Sequence, residues 1–215
     1  MRKTVTARHD SVSRENNALA VAAGCNVLCE VFATNPAPLG SRSKPDATHF
    51  LPNTITDRHP VQYIDVSIVH PLAPCNLVST ADKKGSAINA VQRKKLSQHQ
   101  ALVDNGETVV PFVLNTFGGI GNKASAYISK LHNLLRKRRG PVKAGYIVSR
   151  AISKIAFRLH AGNHAIYDET VQLARVRRAT GMSRQQFRSH IKDRSRFAPS
   201  FSDIYECEDQ YDQME

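Results

Sequence analysis

The sequence predicts an α/β protein: a small mixed sheet flanked by helices, followed by a basic helical C-terminal extension. Three observations carry that reading. In YIDVSIVHP (63–71), Ile64, Val66 and Ile68 alternate with Tyr63, Asp65 and Ser67, the period-two pattern of a strand with two unlike faces. A second β-branched run, TVVPFVLNTFG (108–118), ends in a glycine turn. Helical spacing closed by glycine recurs before, between and after these runs.

Taken in order, HDSVSRENNALAVAAG (9–24) predicts a first helix, with Asp10 or Ser11 as N-cap and Gly24 as stop. NVLCEVF (26–32) is a short strand, and the Pro-, Gly- and Ser-rich 33–46 a loop. ATHFLP and VQYIDVSIVHP, joined by TDRHP (56–60), read as an antiparallel hairpin. PLAPCNLVSTADKKG (71–85) reads as a loop, and 86–106 as one helix ending at Gly106. Pro111 assigns the 108–118 strand to a sheet edge or a bulge. Gly118, Gly119 and Gly121 turn the chain into a helix ending in RKRR (136–139). Helices over 142–162 and 163–181 and a weaker one from Ser183 to Arg194 follow. The units expected are an α/β core over 1–121, a basic helical extension over 122–202 and an acidic disordered tail over 203–215.

The 215 residues carry a formal net charge of +12, which suits a polyanionic partner. The charge is concentrated: Thr108 to Ser202 holds 18 Lys/Arg against 3 Asp/Glu. Cys25, Cys29, Cys75 and Cys207 are too few and scattered for a disulfide framework and suggest a reducing compartment. No zinc-ligand spacing completes the Cys25–Cys29 pair. The apolar stretch through 18–32 is interrupted by Asn26 and Glu30 and is too short to span a bilayer. The first ten residues lack a signal-peptide apolar core. The expected setting is intracellular, and nuclear in a eukaryote, with no membrane partner.

The chemistry centres on carboxylates. Asp46 starts one strand of the hairpin and Asp65 sits in the middle of its partner, so both can lie on one face. Two adjacent carboxylates repel unless a cation joins them, and a hard divalent ion suits oxygen ligands. A solvated Asp65 on an open sheet face and a turn role for Asp46 after Pro45 remain the alternatives. Arg93, Lys94 and Lys95 cannot all point one way, and a solvated helix face is the plain reading of such a run. His9 and Asp10 fit the pinning of the first helix, and His99 lies one turn after Lys95. FGGIG is similar to a phosphate cradle, although a strand–helix junction alone accounts for it.

RHD (8–10), Glu30, KPD (44–46), IDVSIVHP (64–71), AxxAVQRKK (87–95), VPFVLNTFGGIG (110–121) and SKIAFRLHAGNHAIYDE (153–169) fall in a distinctive order. In that order the chain resembles the PD-(D/E)XK restriction-like endonuclease domain found at the C-terminal end of non-LTR retroelement reverse transcriptases. The resemblance implies a restriction-endonuclease-like sheet and a Mg²⁺- or Mn²⁺-dependent DNA endonuclease. It assigns Asp46 and Asp65 as catalytic metal ligands, with Glu30 as a third ligand, and Lys95 as the catalytic lysine with Lys94 next. Lys94, Arg136, Lys137, Arg138 and Arg139 are the expected contacts to nucleic-acid phosphate, DNA first and RNA as the alternative.

The chain departs from that pattern in three ways. Ser67 stands where the superfamily places its lysine, and Asn115-Thr116 where relatives carry Glu-Thr. The zinc-knuckle residues and polymerase are absent, so the expectation is a detached nuclease end of a larger element. The alternatives are a catalytically decayed remnant that binds nucleic acid and, further off, a phosphate-ligand or protein-interaction module.

Overall fold

A computed structural model describes residues 2–29, 45–52, 60–183 and 185–186. Its elements run α1 (Arg2–Ala23), β1 (Asn26–Cys29), β2 (Ala47–Phe50), β3 (Val61–Val69), α2 (Pro74–Asp82), α3 (Ser86–Gln98), α4 (Gln100–Asp104), β4 (Thr108–Asn115), α5 (Asn122–Arg139) and α6 (Pro141–Thr180). The described strands form one sheet in the order β1-β2-β3-β4. β2 pairs antiparallel with β1 and β3, whereas β3 and β4 run parallel, joined by the helical crossover α2–α4. This is the α/β mixed sheet flanked by helices that the sequence predicts, and Pro111 falls on β4 at the sheet edge.

Alternation along β3 and β4 sorts side chains onto two faces, both covered. Ile64, Val66, Val110, Phe112 and Leu114 join residues of α1, α5 and α6 in the main core. Tyr63 and Val109 pack with Leu102 of α4, and Val69 and Val113 with Ala87 and Ile88 of α3. Phe112 is fully buried at the centre; removing such a ring typically costs about 3–5 kcal/mol. The same main core reaches into α6 at Ala144, Ala151, Ile155 and Leu159.

Four predicted boundaries shift. α1 starts at Arg2, so Asp10 and Ser11 are interior residues rather than caps. Nothing in RKTVTARH stops a helix, and α6 holds this turn through Thr4–Glu169 and Arg8–Asn163 contacts. Residues 74–82 of the predicted loop are helix α2, because Pro74 occupies the first helical turn, where its missing N–H is harmless. The predicted 86–106 helix breaks at His99, which leaves helical backbone geometry between α3 and α4. The two helices predicted over 142–181 are one, α6. Gly162 does not stop it: a Cβ there would lie 2.4 Å from Arg8 Cγ, so the glycine makes room for α1. The acidic tail, Glu30 and the turn at 56–59 lie outside the described residues.

Candidate active site around Asp65

Asp65 is 4% exposed, on the face of β3 that α3 and α4 cover. Its interaction partners come from one stripe of α3 and the residue that ends it. Lys95 Nζ lies 3.0 Å from Oδ1, and His99 Nε2 lies 2.6 Å from Oδ2. The i, i+4 spacing of Lys95 and His99 places both on one side of the helix, and the break at His99 brings its ring onto the strand. Burial pushes the Asp65 carboxyl up, but the His99 hydrogen bond and the Lys95 charge outweigh it, leaving the group below its ordinary range. Asp65 is therefore an ionised, acceptor-only group, and His99 must donate its Nε2–H. Lys95 is about one-quarter exposed and forms the solvent side of the cluster.

Asp46 is the immediate neighbour. Ala47 pairs with Ile64, which sets Asp46 beside Asp65 across the β2–β3 ladder. Described β2 pairing ends there, and Asp46 Oδ2 accepts the Val66 N–H at 2.7 Å. From α1, His9 Nε2 reaches both Asp46 Oδ2 (3.2 Å) and the Val66 carbonyl (3.0 Å), while Nδ1 faces Asp10 Oδ1 at 3.0 Å. Both ring nitrogens thus face acceptors, which only an imidazolium satisfies. The Asp46 hydrogen bond, against an opposing effect of burial, raises His9 to about 9. The two carboxylates occupy adjacent ladder positions but answer to different helices, Asp46 to α1 and Asp65 to α3.

Asp46 and Asp65 supply hard oxygen donors, and each retains lone pairs beyond those these contacts use. Oxygen donors of this kind are the type that a hard divalent ion such as Mg²⁺ or Mn²⁺ takes. No group of three His, Cys, Asp or Glu suited to a metal occurs among the described residues, and Glu30 lies outside them.

The remaining expected residues fall elsewhere. Lys94 is exposed on α3 beside the cluster. Arg136, Lys137, Arg138 and Arg139 are exposed at the end of α5, a helix packed against the opposite face of the sheet. Arg138 lies over Gly24 at the α1–β1 turn, where an added Cβ would sit 1.9 Å from its Nη1. The FGGIG segment is a strand–helix junction, not a phosphate cradle. Asn115 Oδ1 accepts the Phe117 and Gly119 amides, and the Gly118 and Gly121 amides go to Asn115 and Val113 carbonyls. This also gives Asn115 a use of its own at the end of β4, as an Asx-turn residue.

His9 and Arg8 are what sequence reasoning left out of the site. Arg8 Nη1 donates to Asn163 Oδ1 at 2.6 Å, and Asn163 Nδ2 donates to the Thr116 carbonyl. RHD thus ties α1 to β3 and to α6 at once, a role its misjudged position at a helix start concealed. Among the described residues no helix is long and apolar enough to cross a membrane. Comparison with family models, curated proteins and solved structures finds no match.

Proposed function

We propose that this domain is a metal-dependent endonuclease that nicks DNA by phosphodiester hydrolysis. One observation carries the reading: Lys95, supplied by α3, sits 3.0 Å from the Asp65 carboxylate. An ammonium at that place does the work expected of the lysine that Ser67 replaces, since it needs only to reach the attacking water or the scissile phosphate.

Asp46 and Asp65 would hold Mg²⁺ or Mn²⁺, which when bound polarises the phosphate and lowers the pKa of a water. The chain's own residues prepare that position. His99 and Lys95 keep Asp65 ionised while it is buried. His9 and the Val66 amide orient Asp46. Lys95, at the solvent side, orients the water and offsets charge on the phosphate. Lys94 adds attraction for the phosphate backbone without reading sequence.

A second reading has its own observation. Both Asp65 oxygens already have cationic or donor partners, so the cluster also suits a nuclease-fold remnant that binds nucleic acid without cutting it. Supercoiled plasmid incubated with the protein and Mn²⁺ separates the two. Nicking that is lost in Asp65→Ala and Lys95→Ala, with duplex binding retained, supports the endonuclease. Duplex binding with no nicking by the unaltered protein establishes the second reading instead.

A further inference from the structure

We propose that the corner between α5 and α6 is a binding site for a single strand of nucleic acid, separate from the Asp65 cluster. Gly140, at φ +78°, turns the chain sharply between the two helices. The turn leaves two adjoining hollows that share Pro141. One, of about 580 Å³, is lined by Lys130, Arg136 and Lys137; the other, of about 480 Å³, by Arg139, Lys143 and Tyr146.

The charge here exceeds any structural need. A helix C-terminus carries roughly half a negative charge, which one cation offsets. The last turn of α5 carries four. From Lys123 to Arg158 the sequence holds ten Lys/Arg and no acid, so any balancing carboxylate must come from another segment. Among the described residues Arg136, Lys137, Arg139 and Lys143 have no acidic partner; the ion pairs of α6, Lys154 and Arg158 with Glu15, lie further along. Like charges packed along one turn repel, and a polyanion relieves that repulsion.

Shape and the aromatic ring select the polyanion. The apolar positions of α5 are spent in the core, so the hollows present cations around a floor containing Leu134 and Pro141. Tyr146 is 63% exposed, and Arg150 Nη1 donates to its hydroxyl at 3.3 Å, which leaves the ring face available. Phosphates on spaced cations with a base stacked on an aromatic ring is how unpaired strands are held. A duplex offers no free base to Tyr146, and a concave cationic corner does not suit a membrane plane. The site lies on the α5–α6 layer, across the sheet from Asp65, so the protein holds this strand apart from the one the carboxylates address.

The test is fluorescence anisotropy of the full chain with labelled oligo(dT), oligo(U) and a random duplex across about 50–200 mM salt. Four phosphate contacts predict a log–log salt slope of about −3 for the single strands, and Arg136→Ala/Lys137→Ala brings it to about −1.4. Tyr146→Ala weakens single-strand binding roughly tenfold, while Asp65→Ala leaves it within about twofold. Circular dichroism melts check that each variant is folded. A preference for oligo(U) over oligo(dT), or the reverse, identifies the strand the site takes. Four results each overturn the proposal. The corner variants bind single strands as tightly as the unaltered chain. Asp65→Ala abolishes single-strand binding. Duplex displaces the strand one for one. Phosphatidylserine vesicles displace it at comparable concentration. Absence of plasmid nicking, by contrast, bears only on the endonuclease reading.

Discussion

His9 offers a stability prediction that can be followed from one proton. In the folded protein its imidazolium is held by Asp46, the Val66 carbonyl and Asp10, and it releases its proton only near pH 9. In the unfolded chain the same ring releases it near 6.5. Between those values the folded protein carries a proton that the unfolded chain has lost. Stability is therefore fully present below pH 6.5 and falls as pH rises toward 9. A tenfold difference in proton affinity is worth about 1.4 kcal/mol, which bounds the contribution at about 3.5 kcal/mol. Both side chains are more than one-quarter exposed, and solvent screening reduces the expected value to about 2 kcal/mol. At roughly 2–4 °C per kcal/mol for a chain of this size, the melting temperature drops by about 4–8 °C from pH 6.5 to 9. Urea and thermal unfolding should show that drop in the unaltered protein and lose most of it in His9→Gln and in Asp46→Asn. An unaltered protein with flat stability over that range, or a His9→Gln variant with the same slope, refutes the arrangement.

Two further outcomes follow from buried contacts. His49 is enclosed between the Tyr127 hydroxyl (2.5 Å) and Asn17 Oδ1 (2.8 Å), and burial lowers it to about 4. The folded protein keeps this ring neutral while the unfolded chain takes up a proton below pH 6.5. Stability should therefore fall on acidification from 6.5 toward 4, a trend that His49→Gln removes in acid unfolding titrations. Gly162→Ala forces a methyl to within 2.4–2.9 Å of the Arg8 stem, close to the α1 backbone. It should cost about 1–3 kcal/mol in urea unfolding, whereas Gly145→Ala, with open space around it, should be neutral or slightly stabilising.

The sheet was legible where side-chain alternation carried it. Ile64, Val66 and Ile68 against Tyr63, Asp65 and Ser67 marked two faces, and the hairpin and the edge position of Pro111 followed from turn and proline chemistry. The alternation did not reveal that α3 and α4 cover the second face, because a polar residue there reads alike in water or beneath a paired helix. The spacing of Lys95 and His99 held that information, since i, i+4 residues share a side. The geometry needed to find it, a helix break at His99, has no mark in SAINAVQRKKLSQHQ. Local signals misled at α1 and α6 for one shared reason. Capping residues, prolines and glycines set what a segment prefers alone, while Thr4, Arg8 and Gly162 settle where these helices run by contact with partners far along the chain.

α6 deserves its own reckoning. Forty residues at 1.5 Å each make a rod of about 60 Å, twice the usual width of a small domain. Its residues buried in the core end at Leu159, and its far third leans on α1 through Glu169 and Thr4. No proline interrupts it after Pro141. One unbroken helix thus joins the cationic corner at Lys143 and Tyr146 to the contact with the opening turn of α1, the helix that carries His9.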